Sequence, residues 1–171
     1  MKLADGILLT ENQIQQRVSE LARRIENDYA GKTLYLCGVL KGSIPFLADL
    51  MRGIRGDVRL ALIEMKSEVD GKHAKILFTS SLELKDRHVL IVEDIVDTGI
   101  TLDYLIKHLE AERAPASIKV ATLLDKPSAR KLDVPIAYRG FNVPDRFLVG
   151  YGLDSEEKYR NLPYISWVEP E

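Results

Sequence analysis

From Thr10 onward the apolar residues Ile14, Val18, Leu21 and Ile25 recur at helical spacing, while Gln15, Gln16, Arg23 and Arg24 fill the other faces. The pattern predicts an amphipathic helix, with Thr10 and Gln13 at the spacing of a capping box and Gly31 as its stop. Thr33 to Val39 is a continuous apolar run of the kind a buried strand makes. Pro45 suits the first turn of a following helix that carries Phe46, Leu47, Leu50 and Met51. Val58 to Met65 and Lys75 to Phe78 read as two further strands. The polar, glycine-containing stretch Ser67 to His73 joins them and serves equally well as a flap or as a hairpin loop. His88 to Val92 is the clearest buried strand, followed by a helix with Leu102, Leu105, Ile106 and Leu109 on one face, then Pro115 and a strand from Ile118 to Leu124. Strand, helix and strand in this compass make a βαβ crossover. They predict an α/β fold, a central and mainly parallel twisted sheet flanked by helices. After Lys126 the pattern breaks into short strands and loops bearing Pro135, Pro144 and Pro163. These residues, with the N-terminal segment, are expected to build a small hood on a single domain spanning residues 1–171.

Composition narrows the partners. At 171 residues and 46% hydrophobic, the chain suits one compact domain with a substantial core. Its 24 basic and 26 acidic residues leave a formal charge of -2, so no broad cationic field is available for nucleic acid or an anionic membrane surface. Any phosphate must be bound locally. Cys37 is the only cysteine and sits between Leu36 and the Gly38-Val39 pair, which suggests a buried thiol rather than a nucleophile and fits a reducing cytoplasm. The opening residues lack the apolar run of a signal peptide, and no later run is long enough to cross a bilayer, so the expectation is a soluble, unexported protein.

Chemistry concentrates in Val89-Leu90-Ile91-Val92-Glu93-Asp94-Ile95-Val96-Asp97-Thr98-Gly99-Ile100-Thr101-Leu102. Four apolar residues run into three carboxylates and then a small-residue turn that opens a helix. Ligands of open α/β sheets gather at such strand ends. There the free amides, the hydroxyls of Thr98 and Thr101 and the positive end of the helix dipole converge on a phosphate, and Gly99 lets backbone approach it. Glu93 and Asp94 are placed to accept hydrogen bonds from two ribose hydroxyls, and Asp97 lies nearer the phosphate turn. An isolated acidic cluster would more often be a solvated loop that caps a helix. The full ordered string is far more specific.

This string resembles the phosphoribosyl pyrophosphate signature of the type I phosphoribosyltransferases, and the chain as a whole is similar to the hypoxanthine-guanine branch. That closer likeness is carried by Val39-Leu40-Lys41-Gly42, Leu124-Asp125-Lys126-Pro127, the run from Gly140 to Asp154, and Tyr159-Arg160-Asn161-Leu162-Pro163. The resemblance implies a Mg2+-dependent purine-salvage enzyme of the cytoplasm. It would transfer the 5-phosphoribosyl group from phosphoribosyl pyrophosphate to hypoxanthine or guanine and would form a homo-oligomer, a dimer or tetramer. It further implies that Glu93 and Asp94 hold the ribose hydroxyls directly or through the metal, and that Asp97, Thr98, Gly99, Ile100 and Thr101 cradle the 5-phosphate. Asp97 would also handle the proton of the purine imidazole, as the catalytic residue. Lys41 and Gly42, in a loop held by an unusual cis peptide, would bind pyrophosphate together with Arg160. Lys126 would donate to the 6-oxo group, Phe147 would stack on the base, and Leu148 would complete the purine pocket. Asp154 would serve both that pocket and the magnesium on the pyrophosphate side. Taken singly, Phe147 in its apolar run is more often core, Lys126 an ordinary surface lysine and Lys41 a solvated loop lysine. Arg130 fits a supporting ion pair as well as a ligand contact, and His73, His88 and His108 show no metal-site spacing.

The chain departs from the family in its lid. Where a Ser-Tyr pair is expected, Ser67 is followed by Glu68, and the loop before Lys75 is several residues short. A short lid would leave the reacting centre wetter and favour hydrolysis of the sugar pyrophosphate. It also lends standing to the alternative of a non-catalytic nucleotide sensor. A change of base to xanthine, adenine or a pyrimidine is a further alternative. Lys126 argues against adenine, because an ammonium has no acceptor for an exocyclic amine.

Overall fold

The computed structural model describes residues 1–67, 74–78 and 83–170. In chain order it comprises β1 (Lys2–Leu3), α1 (Glu11–Asp28), β2 (Leu34–Leu40), α2 (Ile44–Gly53), β3 (Val58–Ser67) and β4 (Ala74–Phe78). There follow β5 (His88–Val96), α3 (Ile100–Arg113), β6 (Ser117–Asp125), a single 3-10 turn at Pro127–Ala129, β7 (Ile136–Asn142), β8 (Leu148–Val149) and β9 (Ser166–Glu169).

The main sheet has the order β4-β3-β2-β5-β6-β7. Every neighbouring pair runs parallel except β3 with β4, which form an antiparallel edge. The central strands are buried on both faces, as parallel strands covered by helices must be. Their side chains alternate between two cores. Leu34 and Leu36 of β2, Leu90 and Val92 of β5 and Leu123 of β6 pack with Ile14, Val18, Leu21 and Ile25 of α1 and with Phe46 and Leu50 of α2. Tyr35, Cys37 and Val39, Val89 and Ile91, and Val120 face the other way, onto Leu102, Leu105 and Leu109 of α3. Each fully buried Leu, Ile or Phe contributes roughly 1.5–3 kcal/mol, so this two-sided packing fixes the strand register on which the site depends.

Local signals set the helix ends. Gln13 N donates to Thr10 Oγ1 at 3.3 Å and Thr10 N to Gln13 Oε1 at 2.8 Å, which completes the capping box. Pro45 lies in the first turn of α2. Burial pushes the Cys37 thiol up to about 12, so it is inert packing.

The two ends of the chain meet in a second, three-stranded antiparallel sheet of order β1-β9-β8. One feature corrects the sequence reading. The hood expected from about residue 126 does not begin there, because β7 is the edge strand of the main sheet, paired in parallel with β6. Only beyond Asn142 does the chain leave that sheet for the smaller one. The short-lid expectation over residues 67–74, with Glu68 in place of tyrosine, lies outside the described residues apart from the strand ends at Ser67 and Ala74.

Candidate functional site

At the carboxyl ends of β2 and β5 the chain makes two loops that press against each other. The Leu40-Lys41 peptide is cis, as the resemblance led us to expect. Directly after it Gly42 packs so tightly on the Asp94 carboxylate that a β-carbon there would overlap it. Gly152, at φ 102, lies against the Gly42 carbonyl from the other side. Close backbone approach, rather than an unusual dihedral, is what requires glycine at position 42.

Glu93 is only 8% exposed and Asp94 adjoins it, with Asp94 Oδ1 accepting from the Ile95 amide at 3.0 Å. Burial, and then the Asp94 charge, hold Glu93 well above the usual carboxylate range. Burial raises Asp94 as well. Two destabilised carboxylates at a strand end are suited to a partner that brings hydroxyl donors or a cation.

Beyond them the turn from Asp97 to Thr101 closes over a cavity of about 270 Å³ lined by Val39, Glu93, Asp97, Thr98, Gly99 and Thr101 among others. Gly99 is left-handed at φ 82 and α3 has no side-chain cap, which leaves first-turn amides for an anion. The turn is anchored from behind. Lys131 N and Leu132 N donate to the Thr98 carbonyl at 2.9 and 3.0 Å, and Arg130 Nε to the Asp97 carbonyl at 3.0 Å. Arg130 also makes a short ion pair with buried Asp125, which Arg139 Nε joins at 2.7 Å. Of its two candidate roles, Arg130 takes the supporting one here.

A second cavity, also about 270 Å³, is lined by Asp94, Ile95, Asp97, Lys126, Phe147, Leu148, Leu153 and Asp154. Asp97 and Ile95 border both spaces. Lys126 is 7% exposed, and its Nζ lies 3.5 Å from Asp97 Oδ2 and 3.5 Å from Asp145 Oδ1. Phe147 is 52% exposed, so it is no core residue, and its ring is available to a planar ligand, whereas Leu148 is buried at the wall. A cation and a carboxylate side by side under an exposed ring can meet the acceptor and donor of one edge of a heteroaromatic base.

Lys41 and Arg160 line neither cavity. They meet in a separate ionic cluster. Arg160 Nη2 reaches Asp154 Oδ1 at 2.9 Å and Glu157 Oε1 at 3.1 Å, and Lys41 Nζ reaches Glu157 Oε2 at 3.2 Å. Hydrogen bonds from Arg160 and Lys41, and then their charges, keep Glu157 below the usual carboxylate range. Sequence reasoning missed Asp145 and Glu157, whose pairings with Lys126 and Lys41 join positions far apart along the chain. Among the described residues no group of three or more His, Cys, Asp or Glu is arranged to hold a metal by itself.

A cavity of about 540 Å³ lies elsewhere, between the end of α1 and the start of β2 and β3, where Tyr29, Lys32 and Arg55 line it. None of the residues expected to carry chemistry borders it, so volume alone does not locate the site.

Comparison with known proteins agrees with this geometry. The phosphoribosyl transferase domain model matches residues 6–156. The hypoxanthine-guanine phosphoribosyltransferase of Bacillus subtilis is 42% identical over 170 residues, which cover 97% of this chain and 94% of that protein. A crystal structure of a hypoxanthine-guanine phosphoribosyltransferase from Bacillus anthracis superposes with a TM-score of 0.92 at 42% identity, covering 98% of this chain and 100% of that one. The hypoxanthine phosphoribosyltransferase of Trypanosoma cruzi, solved in complex with the product IMP, gives 0.91 at 39% identity over 99% of this chain and 97% of that one.

Proposed function

This chain belongs to the phosphoribosyl transferase family, and we propose that its two joined cavities and the adjoining ionic cluster carry out one reaction of purine salvage. The 5-phosphoribosyl group of phosphoribosyl pyrophosphate passes to hypoxanthine or guanine, giving IMP or GMP and pyrophosphate. The observation that carries this reading is that Asp97 borders both cavities and stands 3.5 Å from Lys126. One carboxylate thus faces the sugar phosphate and the base at once.

In this reading the turn from Asp97 to Thr101 takes the 5-phosphate on its amides and hydroxyls. The base slides under Phe147 with its 6-oxo group on Lys126. Asp97 accepts the proton that the imidazole ring sheds as its other nitrogen attacks the anomeric carbon. Attack and departure are spread over a ribosyl centre with oxocarbenium character, by analogy with glycosyl transfer. Glu93 and Asp94 hold the ribose hydroxyls, while Lys41 and Arg160 receive the negative charge that grows on the departing pyrophosphate. Holding base and sugar in line at contact distance supplies much of the remaining acceleration.

The family uses a divalent metal, and the donor set fits Mg2+. That ion commonly takes one or two protein carboxylates and completes its shell with substrate oxygens and water, and the carboxylates of Asp94 and Asp154 line one cavity here. Asp154 would hold it on the pyrophosphate side and Glu93 with Asp94 on the ribose side. When bound it would neutralise phosphate charge and so ease departure of pyrophosphate. The small substrates, a homo-oligomeric assembly and a cytoplasmic location complete the proposal. No described helix is long and apolar enough to cross a membrane. The sensor alternative finds no observation in its favour.

The test is a panel of purine and pyrimidine bases incubated with phosphoribosyl pyrophosphate and Mg2+, with products identified by mass. Nucleotides of hypoxanthine and guanine are expected. Binding without any nucleotide product would overturn the assignment in favour of a sensor.

A further inference from the structure

The proposed pyrophosphate seat already holds an anion, and it belongs to the protein. The Glu157 carboxylate spans the two cations of that seat, one oxygen 3.2 Å from Lys41 Nζ and the other 3.1 Å from Arg160 Nη2. Its backbone amide donates to Asp154 Oδ2 at 2.8 Å, which fixes the base of the side chain over the same carboxylate that Arg160 engages. Glu157 is otherwise open, with 64% of its side chain exposed, so no packing obliges it to lie there.

The turn that presents it is costly. Ser155 N donates to Lys158 O at 3.2 Å and Lys158 N to Ser155 O at 3.0 Å, which closes a two-residue hairpin with Glu156 at φ 54 and Glu157 at φ 61. Both central residues are left-handed, a conformation that this kind of turn normally fills with asparagine or glycine. Two glutamates keep it here. Glu156 points to a different partner, Lys158, at 4.0 Å, so only the second glutamate reaches the cations.

We propose that Glu157 is an internal stand-in for pyrophosphate: its carboxylate occupies Lys41 and Arg160 in the free protein, must be displaced when phosphoribosyl pyrophosphate binds, and returns as pyrophosphate leaves. It thereby sets the affinity of the leaving-group end of the site. A bridging carboxylate gives both cations a partner without an external ligand, so at those contacts a ligand gains only the difference between its own bonds and the ones it replaces. Pyrophosphate, with more charge and more oxygens, wins this exchange but by a reduced margin, and its release is eased by the same amount. The inference rests on the reading of Lys41 and Arg160 as the pyrophosphate seat.

The experiment measures magnesium pyrophosphate binding to the full chain by calorimetry. In Glu157→Gln, which keeps length and shape but removes the charge, the dissociation constant is expected to fall about threefold to tenfold, a range set by the modest strength of two exposed ion pairs. Glu156→Gln removes an equal charge from the same turn and should leave the constant unchanged. IMP affinity should not change in either variant. Unchanged or weakened pyrophosphate binding in Glu157→Gln overturns the proposal, because it would make Glu157 a prop that holds the cations in place. Equal tightening in Glu156→Gln overturns it as well, by reducing the effect to net charge. Arg160→Gln separates this from the underlying reading: it should weaken pyrophosphate binding, and if it does not, the seat itself is misassigned.

Discussion

Gly42→Ala is the sharpest test of how the two loops are fitted together. A β-carbon at position 42 would overlap Asp94 Oδ2 and crowd its Cγ, so something must move. The glycine's own loop has little room to retreat. Ser43 Oγ donates to the Val39 carbonyl at 2.5 Å, and Gly152 presses on the Gly42 carbonyl. The Asp94 carboxylate is the part that gives. Clearing ordinary contact distance takes it roughly 1 Å or more from its present position; if Asp94 holds the ribose as proposed, a displacement of that size costs about 100-fold in rate, or about 2.7 kcal/mol of transition-state stabilisation.

Stability should suffer far less. The Ile95 amide loses its bond to Asp94 Oδ1, a loss of about 1 kcal/mol that water can partly replace. The assay is initial rates with phosphoribosyl pyrophosphate varied at saturating hypoxanthine, and the reverse, beside a thermal melt. The expected result is a folded protein whose kcat/KM for phosphoribosyl pyrophosphate falls about 100-fold while the KM for hypoxanthine barely moves. A folded variant whose value stays within about threefold of the parent would refute the argument that Asp94 is held by this contact.

Three further outcomes follow from the same geometry. Asp97→Asn should lower kcat by about 10²–10⁴ while nucleotide affinity stays within a few-fold, and full turnover would remove Asp97 from proton handling. Lys126→Met deletes the cation between Asp97 and Asp145 and should raise the KM for hypoxanthine by about tenfold to 100-fold, leaving that for phosphoribosyl pyrophosphate unchanged; equal effects on both would count against a base-specific role. Glu93, raised by burial and by Asp94, keeps its proton in the ligand-free folded state at pH values where the unfolded chain, with a carboxyl near about 4.3, has lost it. The folded state then binds more protons, so stability falls as pH rises from that ordinary range toward the raised folded value. Glu93→Gln lacks this slope, and the difference in Tm between it and the parent should shift in its favour as pH rises above the ordinary carboxylate range, whereas a constant difference would show that Glu93 is not desolvated.

What the sequence made legible is what is contiguous in it. Val89 to Thr101 contains strand, acids, turn and helix start in order, so the strand end and the turn that opens α3 could be read directly from the string. The alternation along β2 and β5 likewise foretold a sheet covered on both faces. The edge strand β7 was less readable. Its burial is mixed, because an edge strand meets the core on one side only, and Pro135 and Pro144 on either side of it look like loop punctuation. Pairings across long separations were not readable at all. Asp145 meets Lys126 and Glu157 meets Lys41 only because β8, β9 and the turns near them fold back over the carboxyl ends of the main sheet.

Those pairings share a logic that the strand-end acids do not. Lys126 rests between Asp97 and Asp145, Lys41 and Arg160 rest on Glu157 and Asp154, and Arg130 and Arg139 rest on Asp125. The cations proposed to face ligand thus begin with protein partners, so each would gain from substrate only what substrate offers beyond those partners. The Arg130 and Arg139 pairs, by contrast, gather on a nearly inaccessible carboxylate and stay as scaffold, since breaking a buried pair would strand a charge. Glu93 begins destabilised by burial and by the Asp94 charge, and Asp94 by burial and by the Asp154 charge. Binding therefore exchanges partners at the cations and relieves strain at the acids. Under the proposed function, the ribose end is where this site has most to gain from its substrate, and the pyrophosphate end is where it most readily lets go.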